Sequence, residues 1–277
     1  MHVRLLFSLS LALAVFISPK FSVAGSGGPM APTADHMGLA PGHDKPPMAN
    51  PTLAQAFAAV FGRSTPATRV VSRASNPPCC RTVALTVTPG DLVDLGSGRY
   101  ALLSLETNPL GSHVEPGAIS IAYLDHQGRD WRVEHVWNEF AWTGDSGTPA
   151  DSMQDLTTSG APPIVFALRQ GVWQGEEITT AWALVLDRKP RMAGDFNAGG
   201  EVDADNGCDF STCGAWAYIA GIDRPFAAGA LFSVAYGGWQ EAPGVHHPTP
   251  FAAVTNYVER GGALVAVPPV SLPGRNL

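Results

Sequence analysis

From residue 82 onward the chain alternates apolar and polar residues with a period of two. "TVALTVTP" does so over 82–89, and "RYALLSLETN" (99–108), "GAISIAYLDH" (117–126) and "DWRVEHVWNEF" (130–140) follow. Further runs lie at 163–170, 179–187, 215–222, 230–239 and 262–270. Alternation over four to eight residues marks a strand with one buried face. Asp125-His126-Gln127-Gly128 joins two of these runs as a hairpin turn. The stretch "TPFAAVTNYVERGG" fits strand or helix, and its bounding Pro250 and Gly261 favour strand. Short strands separated by Gly and Pro predict an all-β domain over 79–277, a β-sandwich rather than a closed barrel. No fixed-period repeat suggests a propeller.

The period differs only before residue 79. Thr52 is an N-cap signal, and Leu53, Ala56, Phe57 and Val60 fall at helical spacing before Gly62. The segment 52–78 therefore reads as one short helix and a linker. Residues 25–51, rich in Gly, Pro and Ala, read as a flexible tail. Residues 1–24 have the pattern of a secretory signal peptide. Arg4 precedes an apolar run from Leu5 to Ile17, and Ser22-Val23-Ala24 offers small residues for cleavage after Ala24. A bilayer core needs about 20 apolar residues, more than this run supplies, so no membrane span is expected. The implied location is secreted or periplasmic.

Composition narrows the partners. The chain carries a formal charge of −7. Loss of residues 1–24 removes Arg4 and Lys20 and no acid, giving −9. An acidic chain without a basic run is a poor ligand for nucleic acid, whose phosphates require clustered Lys and Arg. Hydrophobic residues make up 45% and charged residues 15%, which suits a globular domain with an ample core.

An oxidising destination makes disulfides the expectation for Cys79, Cys80, Cys208 and Cys213. A pairing across the domain is favoured over a strained Cys79–Cys80 bridge, with a four-thiolate zinc site as the rival.

Four patterns carry candidate chemistry. Gly144-Asp145-Ser146-Gly147 resembles the GDSGG run in which trypsin-like serine proteases present their nucleophile. Thr148 replaces the second glycine, and His113, His126 and His135 lack that family's sequence context. Too little folded chain precedes Ser146 for that fold, so the run reads as a polar loop. "DFNAGGEVDADN" (195–206) resembles the calcium loop of dockerins and EF-hands. Gly199 and Asn206 stand where acids belong, which leaves an acidic loop as the reading.

The third pattern is Met30, His36, Met37, His43 and Met48, five soft ligands within nineteen residues. Thioether and imidazole suit copper(I), so copper is the candidate metal. His246-His247 is a further possible metal pair. The fourth pattern groups Trp137, Glu139, Trp142 and Asp145, with Glu176 and Glu177 after Trp173. Indole rings stack on sugars and paired carboxylates hydrolyse glycosides, so these residues are candidate glycan ligands. The main expectation is an exported binding or surface module for a small molecule, metal or glycan, without catalysis. A copper-binding protein and a glycan-binding or glycan-hydrolysing protein are the alternatives.

Overall fold

The computed structural model describes residues 52–63, 66–75, 79–127, 130–173, 175–202, 214–245 and 247–273, with the backbone alone at 72–75, 79–81, 127 and 173. The Met/His tail, Cys208, Cys213 and His246 lie outside the described residues, as do the side chains of Cys79 and Cys80.

One helix opens the fold, α1 (Leu53–Phe61). Thr52 Oγ1 accepts from Gln55 N at 3.3 Å, and Gln55 Oε1 accepts from Thr52 N at 3.0 Å. This reciprocal capping satisfies two otherwise orphaned donors. Gly62, with φ 71°, ends the helix in the left-handed conformation. Ala56 and Phe57 are fully buried.

Among the described residues thirteen strands follow in two antiparallel sheets, and the domain is an all-β sandwich. The first sheet comprises β1 (Ala67–Ser75), β2 (Cys79–Gly96), β3 (Arg99–Thr107), β4 (Gly117–Gln127) and β5 (Asp130–Thr143), in that order. The second begins with β6 (Ser152–Leu156), β7 (Ile164–Trp173), β8 (Glu176–Leu186) and β9 (Pro190–Val202). It ends with β10 (Trp216–Asp223), β11 (Phe232–Gln240), β12 (Thr249–Arg260) and β13 (Ala263–Val267), again in chain order. Each sheet is a meander in which every strand pairs with its sequence neighbours.

Alternation assigns the faces. Ala101, Leu103, Ile119, Ile121 and Tyr123 of the first sheet meet Val165, Ala167, Leu184 and Leu186 of the second, forming the core between the sheets. Tyr123 Oη donates to the Asp187 carbonyl at 2.6 Å and ties the layers together. The opposite face of each sheet has its own core.

Helix α1 packs on Val87, Leu102, Ala122 and Leu124 of the first sheet. That sheet is strongly curled around this face. Arg69 of β1 pairs with Glu139 of β5 at 3.0 Å, although four strand spacings in a flat sheet separate them by about 19 Å. Arg69 also pairs with Glu106, a fully buried carboxylate that accepts from Ser120 Oγ.

The second sheet curls around Phe166, Phe196, Trp216, Phe232 and Tyr257. A Cβ at Gly194 of β9 would lie 3.1 Å from Leu264 N of β13, so these strands abut without pairing. Arg191 and Glu259 link the same side.

Three strands occur where the sequence reading placed none. β1 occupies the stretch read as linker, and α1 and β1 share a unit with the remaining strands, so the boundary drawn at Cys79 falls inside it. β1 is an edge strand with one solvated face, which accounts for its polar sequence. β6 is a five-residue edge strand. β9 runs through the stretch read as an acidic loop. Its Gly200 is required by packing, since a Cβ there would lie 2.8 Å from Glu177 O and 3.0 Å from the Trp216 ring. Asp195, Asn197 and Gly200 are therefore strand residues, not calcium-loop positions.

Candidate binding cleft

The chain crosses from the first sheet to the second after β5, through the Gly144–Ser146 run. Thr148 N donates to Asp145 O at 2.8 Å, closing a tight turn. Ser146 and Gly147, its central residues, have φ of 51° and 72°. Two consecutive positive φ values belong to the type I′ turn, for which Gly and small polar residues are suited. Gly147 N donates to Glu115 O at 2.7 Å, and Asn108 N to Gly147 O at 2.8 Å. A Cβ at Gly147 would collide with the Asn108 carbonyl. The four residues that resemble a protease motif are thus explained by turn geometry and by close packing on the 108–116 loop.

This turn borders a cleft of about 640 Å³ on the back of the second sheet. Arg169, Gln170, Gly171 and Val172 of β7 line it, with Ile178, Thr180 and Trp182 of β8 and Asn197 of β9. His113, Val114, Asp145 and Ser146 form the opposite rim. Val165 and Ala167 lie on the face that packs against the first sheet. Arg169 continues that face one residue pair beyond, where the first sheet no longer covers it.

Arg169 organises the polar wall. Its Nε and Nη2 donate to Asp145 Oδ1 at 3.2 and 2.7 Å, and its Nη1 pairs with Asp151. Burial works against the cation, but the hydrogen bonds and charges of Asp145 and Asp151 outweigh it and raise the Arg169 pKa. Gln170 N donates to Asp151 Oδ2 at 2.9 Å, and Gln170 Nε2 donates to Glu177. Asp145 Oδ2 lies above Gly171, where a Cβ would be only 2.8 Å away. Asp145 and Arg169 line the cleft, and Asp151 behind it also pairs with Arg169, so two carboxylates offset one guanidinium and the wall offers no free cation to an anion.

The sequence candidates are dispersed. Asp145 lines the cleft. Trp137 packs between the sheets, its ring 4.8 Å from Tyr123 and 4.2 Å from His135. Glu139, two residues on, pairs with Arg69 at 3.0 Å on the other face of the first sheet. A register shift between Ile119 and Ile121 accompanies this change of face, and Glu139 has φ 50°. Trp142 is partly exposed near the end of β5. Trp137, Glu139, Trp142 and Asp145 therefore do not share one site. Glu177 reaches the cleft wall only through Gln170.

Sequence reasoning missed Arg169, Thr180, Trp182 and Asn197 as cleft residues. The available signal was a charged residue on the buried face of a strand, after two apolar ones. Among the described residues, no group of three or more His, Cys, Asp or Glu is arranged to hold a metal ion. No helix among them is long and apolar enough to cross a membrane. No family model, curated protein or solved structure matches this chain.

Proposed function

We propose that the chain is an exported binding domain that takes a neutral, hydroxyl-rich small molecule, of the sugar class, into the cleft beside Arg169. The observation that carries this reading is the wall itself. A hydrogen-bonded Asp145–Arg169 pair, backed by Asp151, stands beside Trp182, Thr180 and Asn197 in one opening of about 640 Å³. Small-molecule sites span about 300–1,000 Å³ and combine an apolar surface with a few fixed polar groups. Planar amide, carboxylate and guanidinium groups match the paired hydroxyls of a sugar, and an indole supplies a stacking face.

The test is calorimetric titration of the mature chain with a panel of neutral mono- and oligosaccharides, with product analysis of each mixture. Binding lost in Arg169→Met and Trp182→Ala, with no sugar cleaved, supports the proposal. Binding that survives both substitutions, or no binding across the panel, overturns it. Released reducing ends would replace the non-catalytic reading with a hydrolase.

A second reading rests on one sequence observation, the five soft ligands Met30, His36, Met37, His43 and Met48. It expects copper(I) to be held by the tail, since soft ligands on a chain segment suffice without a preformed cage. The full chain should compete with a copper(I) chelator, and replacing the three methionines by leucine should abolish the competition.

A further inference from the structure

The outer face of β10–β12 has a composition unlike the rest of this acidic chain. Trp216, Tyr218, Val234, Tyr236 and Tyr257 turn into the aromatic core. The alternate residues turn outward and lie in three cross-strand rows. In one row Ile219 stands beside Gly237, and Gly237 beside Ala252. In the next, Val254 stands beside Ala235, and Ala235 beside Gly221. In the third, Trp239 stands between Ala217 and Pro250.

On these three strands no charged side chain occupies the rows, and Glu201 and Asp223 stand at their border. Ile219 is 72% exposed, Val254 56% and Trp239 38%. Phe226, 66% exposed, extends the patch, because its amide is held by Ser233 Oγ at 2.8 Å in the adjoining outward row.

We infer that this face is the contact between two copies of the chain. Each row carries one large side chain, on a different strand, flanked by Gly, Ala or Pro. Knobs and hollows therefore occur on the same patch, as a two-fold contact requires. Ile219 of one copy fits the hollow above Gly237 and Ala252 of the other. Charge selects the same surface, since two chains of net charge −7 approach most easily through an uncharged face. The three strands and three rows measure about 14 by 20 Å. With side-chain relief and the flanking Phe226, a pair of copies buries on the order of 1,000 Å², the lower bound for a specific interface. A polysaccharide platform would need several exposed rings, and these three rows offer Trp239 alone.

Sedimentation velocity on the mature chain, from about 1 to about 100 µM, tests the assignment. A monomer–dimer equilibrium with micromolar half-dissociation is expected. Ile219→Lys and Val254→Lys, made separately, should each raise that concentration at least about 30-fold, as loss of an interface anchor does. Val70→Lys, at a position 64% exposed on β1, should leave it unchanged. Far-UV dichroism establishes folding of each variant, and either lysine variant suffices if the other fails to fold. A wild-type chain monomeric throughout overturns the inference. So does a dimer insensitive to the folded lysine variants, or one that Val70→Lys disrupts equally.

Discussion

The two sheets solve one problem with different chemistry. Each curls away from the shared core and must fill and close its own concave side. The first sheet fills its concavity with α1 and closes with Arg69, held between Glu106 and Glu139. The second fills its concavity with aromatic rings and closes by abutment of Gly194 on Leu264. Its internal polar groups include phenols, with Tyr236 and Tyr257 hydroxyls 2.9 Å apart. An ionic closure depends on every member being present, because removing one strands a buried charge. An aromatic closure is spread over many contacts and yields gradually.

The largest effect should come from Arg69→Met. It leaves the carboxylate of Glu106 fully buried and unpaired, and should lower unfolding stability by about 3–5 kcal/mol in urea titration. Adding Glu106→Leu should recover at least half of that loss, since an apolar pair of similar volume often replaces a buried ion pair without penalty. A double variant no more stable than Arg69→Met would show that the first sheet is not closed by this pair.

The second sheet should respond to alkali instead. Burial raises the pKa of Tyr218 to about 12, and burial also raises Tyr236 and Tyr257 above the ordinary phenol value. Above pH 10 the unfolded chain therefore loses these protons first and binds fewer than the native state. Stability then falls with rising pH, by up to about 1.4 kcal/mol per pH unit for each such tyrosine. Tyr218→Phe should flatten the decline between pH 10 and 12, measured by urea midpoints, while Arg69→Met should leave its slope unaltered.

The smallest effect tests the helix that fills the first sheet. Thr52→Ala removes one cap bond of α1 and should cost about 1 kcal/mol, read as a lower urea midpoint. A loss as large as that of Arg69→Met would mean that the helix, rather than the ion pair, maintains the curl.

The chain announces this architecture unevenly. Strands with one face in a core and one in solvent alternate plainly, as in "TVALTVTP", and a capped helix is visible in Thr52 and Gly62. β1 and β9 break the pattern for different reasons. β1 carries Arg69 on a buried face because its partner is a buried acid, and a charge there reads as exposure. β9 carries Gly200 because Glu177 and Trp216 of the neighbouring strands press on it, and with Gly199 beside it the paired glycines read as a loop. The cleft was less visible still. Asp145 was found through its neighbours in sequence, but Arg169, Thr180 and Asn197 come together by cross-strand register. The bulges at Thr179/Thr180 and Ala183/Leu184 that set this register leave no local mark. Trp137 and Glu139 were grouped by proximity, and the bulge opposite Ser120 sends them to opposite faces.

Strand order also has a kinetic meaning. Because within each sheet every strand after the first pairs with the one before it, each sheet grows by adding a hairpin to an existing edge, and no strand must insert between two others. Such growth closes only short loops, and closure entropy rises slowly with loop length, about 0.6 kcal/mol per doubling. The long closures include those that bend each sheet upon itself, such as Arg191 to Glu259, 68 residues apart. Bending therefore carries the larger entropic cost, and the species in which those contacts are unmade is a pair of open sheets with unsealed concave faces. That species exposes Phe166, Phe232 and Tyr257 together, the arrangement through which partly folded β chains aggregate.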